Sequence, residues 1–226
     1  MLTLAIDTAA NFCSACLWDD ATDRVLASEE RDIGRGHAEQ LIETVEAVMR
    51  HAGAEYADLG RIAIAVGPGS FTGIRVGVAA ARGFGLALGV PVIGVTTLAA
   101  LAADALSEAP GPVTVAVSGG RGQVFMQSFD ADNRPTSDPA AVEEEAAAGA
   151  IPADTALLAG NAAADLAGAR GIAAVQDRAT GSIATVARLS VTAPQDPKPL
   201  YLRGADAKPQ QGFAVARTGT SDGSAR

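Results

Sequence analysis

The sequence predicts an α/β protein built from two copies of one half. Three observations carry that expectation. Apolar strand patterns alternate with helical periodicity along most of the chain. Leu2 to Trp18 reads as apolar strand, polar turn, apolar strand, and Val113 to Phe129 restates the pattern. Pro110-Gly111-Pro112 punctuates the chain between the two. The predicted units are 1–109 and 110–203, with residues 204–226, rich in Gly, Ser, Ala and Thr, as a disordered tail.

Taken in order, Leu2 to Ile6 alternates as a strand and ends at Asp7-Thr8. A second strand carries Cys13 and Cys16, and a third, Arg24 to Glu30, follows the Asp19-Asp20 turn, giving an antiparallel meander. Arg31 to Gly36, with two glycines and three charges, reads as a mobile loop. His37 to Ala52 has Ala38, Leu41, Ile42, Val45, Val48, Met49 and Ala52 at helical spacing, with Gly53 as C-cap. Arg61 to Val66 is a strand that runs into Gly67-Pro68-Gly69-Ser70, a turn that opens a helix. Ser70 and Thr72 can accept the free N–H groups of its first turn, while Gly67 and Gly69 allow close backbone approach.

That helix is the most informative stretch. Gly73, Gly77, Ala81, Gly85 and Gly89 recur every fourth residue and line one face with nothing larger than methyl. Each glycine costs about 1 kcal/mol against alanine, so another backbone or helix must lie in the groove. The helix is apolar nearly all round, and its small-residue face is either buried in its own unit or meets another subunit.

Val92 to Val95 forms the next strand, and Thr97 caps a helix Leu98 to Leu106. In the second half the pattern predicts strands Val113 to Val117 and Gln123 to Phe129, a helix Ala140 to Ala148 and a strand Ala156 to Ala159. A short helix capped at Gly160-Asn161, a strand near Ile172 to Val175, a helix Ile183 to Leu189 and an extended connector Pro194 to Pro199 complete it.

Composition narrows the function. The 226 residues carry a net charge of −9, and of seventeen basic residues only Lys198 and Lys208 are lysines. Such a chain is poorly suited to gripping nucleic acid by itself, since phosphate neutralisation supplies most of that affinity. Apolar runs are broken by Gly, Pro or charge before 18 residues, so no membrane span is expected. The start lacks a basic leader, and a cytoplasmic location is expected. No lysine follows the glycine turn as a P-loop requires, and the third glycine comes one place late for a dinucleotide fingerprint. The turn remains a candidate anion or nucleotide loop through Asp7, Thr8, Gly67, Gly69 and Ser70. Cys13 and Cys16 form C-x-x-C, but on a strand an offset of three sends them to opposite faces. His37-Ala38-Glu39 with that pair imitates a zinc deaminase in reversed order. His37 and His51 sit at opposite ends of one helix and cannot share a metal.

The runs AIDTA at Ala5 to Ala9, H-x-E at His37 and Glu39, GPGSFTGIRVGVAAARG, Thr96-Thr97-Leu98 and the PLYLR ending at Arg203 resemble the TsaB (YeaZ) family over about residues 1 to 203. The resemblance implies an actin-like fold of two ribonuclease-H-like lobes. It also implies a non-catalytic subunit of the machinery that makes threonylcarbamoyladenosine beside the tRNA anticodon. Such a subunit pairs with the catalytic paralogue TsaD through its two long N-lobe helices and lets the ATPase TsaE dock on the pair. Onto this chain that interface maps to His37, Leu41, Val45, Val48, Ile74, Gly77, Val78, Ala81 and Gly85, and the same helices could pair two copies. No cofactor of its own is implied: ATP serves the assembly, the metal sits on the catalytic subunit, and tRNA is met only through the complex. Where the catalytic relative has a histidine pair one turn apart, this chain has His37 and Leu41. Where the family's second-lobe turn usually reads D-A-R-R-G-E-V-Y, this chain has Ser118 to Phe125, SGGRGQVF. The competing reading is an ATP-handling phosphotransferase of the actin and sugar-kinase class, with Asp7 and Thr8 near the phosphates.

Overall fold

Among the described residues, ten strands form two five-stranded sheets of the same internal order. The computed structural model describes residues 1–34 and 36–203, so the expected tail lies outside the described residues. The first sheet contains β1 (Leu2–Asp7), β2 (Phe12–Asp19), β3 (Arg24–Asp32), β4 (Leu59–Gly67) and β5 (Val92–Thr96), ordered β3-β2-β1-β4-β5. The second contains β6 (Val113–Gly120), β7 (Gln123–Phe129), β8 (Ala140–Glu143), β9 (Leu157–Ala159) and β10 (Ala173–Gln176), ordered β10-β9-β6-β7-β8. In each, a three-stranded antiparallel meander is extended by two parallel strands. The duplication expected from the sequence is therefore a duplication of topology, and the fold is the actin-like pairing of two ribonuclease-H-like lobes.

Alternation decides what each sheet face meets. Leu4, Ile6, Leu17, Ile62 and Ile64 point to α1 (His37–Ala52) and α2 (Phe71–Leu88), against Leu41, Val45, Val48, Ile74 and Val78. Ala5, Cys16, Trp18, Ala63 and Val95 point the other way, to Ile183, Val186 and Ala187 of α6 (Ile183–Thr192). In the second sheet, Val113, Val115 and Val117 meet Leu98, Leu101 and Ala105 of α3 (Thr97–Glu108). Ala116, Val124 and Leu158 meet α4 (Glu144–Ala150) and α5 (Ala163–Arg170).

The expected boundary at residue 110 marks where the sheets change but not where the lobes divide. Helix α3 precedes it and packs on the second sheet, while α6 follows it and packs on the first. Each inner sheet face is closed by a helix from the other half of the chain. The two helices are tied where Asp104 accepts from the Ser182 N–H at 2.5 Å, from the Ser182 hydroxyl at 3.1 Å and from the Thr185 hydroxyl.

Other expectations shift locally. The loop expected from Arg31 begins only after Asp32, because β3 continues to pair with β2 that far. The cap of α3 is Thr96, whose hydroxyl accepts from the Ala99 N–H at 3.1 Å, and Thr97 is the first helical residue. The alanine-glutamate segment is not helical throughout: Ala140 to Glu143 pair with β7, which otherwise presents an open edge, and the helix starts at Glu144. Asn161 does not cap α5; its Oδ1 accepts from the Ser118 N–H at 2.9 Å instead. Helix α2 is apolar enough to cross a membrane by length and composition alone. It is laid on the first sheet through Gly73, Ile74, Gly77, Val78, Ala81 and Gly85.

Candidate partner interface and inter-lobe cleft

The start of α2 is fastened to the β1–β2 turn. Gly67 ends β4 at φ 97°, a left-handed angle that suits glycine, and the following Gly67-Pro68 bond is cis. The Ser70 N–H donates to the Ala9 carbonyl at 2.6 Å, and the Ser70 hydroxyl accepts from the Gly73 N–H at 3.2 Å. The Thr8 hydroxyl donates to the Gly73 carbonyl at 2.8 Å. A Cβ at Gly69 would strike the Ala9 carbonyl, one at Gly73 the Thr8 carbonyl, and one at Gly77 the Thr8 hydroxyl. One at Gly85 would strike Val92. Within the chain, Gly73 lets α2 lie on the backbone of the β1–β2 turn, Gly77 makes room for the Thr8 side chain and Gly85 for Val92 of β5.

The residues mapped from sequence onto an interface are turned inward in the chain. His37, Leu41, Val45, Val48, Ile74, Gly77, Val78, Ala81 and Gly85 are all buried in the first lobe. They face the sheet because its β-branched and leucine side chains need a cover, and small residues let α2 sit close. His37 holds the start of α1, its Nε2 lying 2.9 Å from the Ala10 carbonyl and 3.2 Å from the Phe12 carbonyl. Carbonyls only accept, so Nε2 carries the proton. Leu41 stands one turn on, and among the described residues no three His, Cys, Asp or Glu side chains cluster to hold a metal.

The faces turned outward are different. On α2 they are Phe71, Thr72, Arg75, Ala79, Arg82, Gly83, Leu86 and Ala87. Leu86 is 88% exposed, and a Cβ at Gly83 would meet nothing within 4 Å. On α1, Ile42 is 46% exposed among Glu39, Glu43 and Glu46.

The residues of the expected nucleotide loop separate. Asp7 is 5% exposed and accepts from the Ala9 N–H at 2.7 Å. Burial pushes its carboxyl up to about 7, and the charge of Glu30 acts in the same direction. Thr8 is fully buried on Gly73. Gly67 is buried as well, and only Gly69 and Ser70 of the five reach the cleft between the lobes.

That cleft, of about 1470 Å³, is bounded by Ala9–Phe12, Pro68–Phe71, Val117–Arg121, Asp177–Thr180 and Leu200–Arg203. The Arg75 guanidinium stands 3.7 Å above the Phe71 ring, and its Nε donates to the Tyr201 hydroxyl at 2.8 Å. Arg203 donates from Nε to Gln123 Oε1 at 2.9 Å and from Nη2 to the carbonyls of Gly119 at 2.9 Å and Gly120 at 2.7 Å. Sequence reasoning did not single out Arg75, Tyr201 and Arg203 together. Their only signal was the PLYLR run, which lies 126 residues from Arg75 at its tyrosine.

Cys13 and Cys16 are free and buried on opposite sheet faces, as the offset of three implies. Burial pushes both thiols up, Cys16 to about 12.

Comparison with known proteins agrees with this architecture. The family model for TsaD, tRNA N6-adenosine threonylcarbamoyltransferase, matches residues 29–151. The tRNA threonylcarbamoyladenosine biosynthesis protein TsaB of Escherichia coli is 35% identical over 133 residues, which span 58% of this chain and 56% of that protein's length. An uncharacterised protein of Mycobacterium tuberculosis is 33% identical over 207 residues, 91% of this chain and 93% of its own. The crystallised YeaZ of Pseudomonas aeruginosa superposes with a TM-score of 0.74 at 25% identity, over 89% of this chain and 99% of that one. With the model covering more than half of the sequence and the mycobacterial likeness running nearly end to end, the chain belongs to the TsaB (YeaZ) family, within the wider family that the TsaD model describes.

Proposed function

We propose that this chain is the non-catalytic subunit of a cytoplasmic assembly that transfers threonylcarbamoyl to the adenosine beside the tRNA anticodon. It pairs with a TsaD-type catalytic paralogue, and a TsaE-type ATPase docks on the pair. The observation that carries the reading is the outer face of α2. Gly83 sits in open space in mid-helix, where nothing among the described residues rewards its cost of about 1 kcal/mol against alanine. One turn before it is Ala79, and beside it Leu86 is almost wholly exposed. A small-residue groove flanked by a bare leucine suits close packing of a partner helix. The interface therefore uses Ala79, Arg82, Gly83 and Leu86 of α2 with Ile42 of α1, and the buried positions mapped from sequence support it from beneath. In the absence of the paralogue the same face pairs two copies of the chain. ATP and metal belong to the assembly, and tRNA meets this chain only within it.

The test is reconstitution of the transfer with the TsaD and TsaE proteins and tRNA of the same organism. Product should form only when this chain is added. Full transfer by TsaD and TsaE alone would overturn the proposal, and ATP turnover by this chain alone would replace it with the phosphotransferase reading.

A further inference from the structure

The cleft between the lobes carries charge of the opposite sign to the chain around it. The chain has a net charge of −9. Among the described residues lining the cleft are Arg75, Arg178 and Arg203 and one carboxylate, Asp177. Arg178 is partly neutralised by Glu30 at 3.5 Å. Arg75 and Arg203 are not neutralised in this way. Among the described residues each is fixed by neutral groups: a tyrosine hydroxyl and a phenylalanine ring for Arg75, an amide oxygen and two backbone carbonyls for Arg203. Neutral acceptors orient a guanidinium without cancelling its charge. They also leave both terminal nitrogens of Arg75 and Nη1 of Arg203 available to an incoming acceptor.

The two arginines border the same opening. Tyr201, which holds Arg75, is two residues from Arg203, a separation of at most about 7 Å along the chain. The N-terminus of α2 enters the cleft at Ser70 and Phe71 and adds the positive end of its dipole. The rings of Phe71, Tyr201 and Phe12 are partly exposed beside them. Prepositioned guanidinium groups that keep their charge are suited to phosphate oxygens, which they contact through paired N–H donors.

We propose that the inter-lobe cleft is an oxyanion site for a phosphorylated small molecule, with Arg75 and Arg203 as its charged contacts. Asp7 and Thr8 take no part, being buried beneath the turn; of the phosphate loop expected from sequence only Gly69 and Ser70 border the site. Its occupation is a binding event that requires no chemistry by this chain.

The test is calorimetric titration of the full chain with sodium pyrophosphate, adenosine 5′-monophosphate and adenosine. Pyrophosphate or the nucleotide should bind saturably with Kd below about 1 mM, and adenosine should bind at least about tenfold more weakly than the nucleotide. Tighter binding of the nucleotide than of pyrophosphate would identify a ring-bearing ligand held on Phe71 and Tyr201; equal binding would identify a bare phosphate group. Arg75→Gln and Arg203→Gln should each weaken binding by about tenfold or more, the loss of a charge-assisted contact. Arg134→Gln, which lies outside the cleft, should leave it unchanged. Arg203 also supports the Gly119–Gly120 turn, so Arg75→Gln, with its melting temperature unaltered, is the decisive variant. No saturable binding of either anion by the unaltered chain, or equal binding by a normally folded Arg75→Gln, would overturn the proposal.

Discussion

Alanine at Gly73 and alanine at Gly83, ten residues apart on one helix, should move stability in opposite directions. At Gly73 the new Cβ runs into the Thr8 carbonyl oxygen, with the Thr8 carbonyl carbon at 3.2 Å and the Ser70 hydroxyl at 3.3 Å. The helix cannot lift away without cost, because the Ser70 N–H is held by the Ala9 carbonyl and the Gly73 carbonyl by the Thr8 hydroxyl. Overpacking of this kind costs about 1–3 kcal/mol, and each hydrogen bond lost with it about 1 kcal/mol. Alanine returns about 1 kcal/mol of helix propensity, so the expected net loss is about 2 kcal/mol. For a chain of this size that lowers the melting temperature by about 4–8 °C. At Gly83 nothing opposes the new methyl, and the same propensity should raise stability by up to about 1 kcal/mol, or about 2–4 °C. Thermal and urea denaturation followed by circular dichroism measures both. A Gly73→Ala protein as stable as the parent, or a Gly83→Ala protein less stable, would refute the inside-and-outside assignment of the two faces of α2.

Two further predictions concern buried titratable groups. Asp7 titrates at about 7 in the folded chain, well above its unfolded value, so the folded state retains a proton that the unfolded state releases. Its contribution to stability is complete below about pH 4 and is lost as pH rises through 7, at about 1.4 kcal/mol per unit of separation between the two values. Asp7→Asn, which can still accept from the Ala9 N–H, should flatten the stability profile between pH 4 and 7 and raise stability at pH 8; unchanged slopes would contradict the burial argument. Cys13 and Cys16, raised by burial, should resist iodoacetamide at pH 8 in the native chain and react fully in urea. Rapid native alkylation of either would show that the sheet is not closed on that face.

What the sequence made legible was mostly local. The bounds of α1 follow from its periodicity and from Gly53, and the meander of β1 to β3 follows from alternation and turn residues. The glycine row signalled close backbone approach correctly. What it approaches is long-range: the Thr8 turn lies 65 residues from Gly73, and no spacing rule connects them. For the same reason the residues mapped onto an interface from sequence are ones that the first lobe buries. The most apolar positions of α1 and α2 are those the sheet buries, and the outer face is told from them only once the helix is laid down. The exchange of α3 and α6 between the lobes was likewise invisible, since both helices read as ordinary successors of the strands before them. Edge pairing overrode helix propensity at Ala140 to Glu143. In the cleft, Arg75, Tyr201 and Arg203 are joined only by folding.

The central claim is that the outer face of α2 joins a catalytic partner. Size-exclusion chromatography with light scattering, on this chain mixed with the TsaD-type paralogue of the same organism, tests it most directly. The account predicts a peak at heterodimer mass for the unaltered chain, absent for Leu86→Glu although that variant melts at the parental temperature. A heterodimer that persists with Leu86→Glu, or no complex with the unaltered chain, would contradict it.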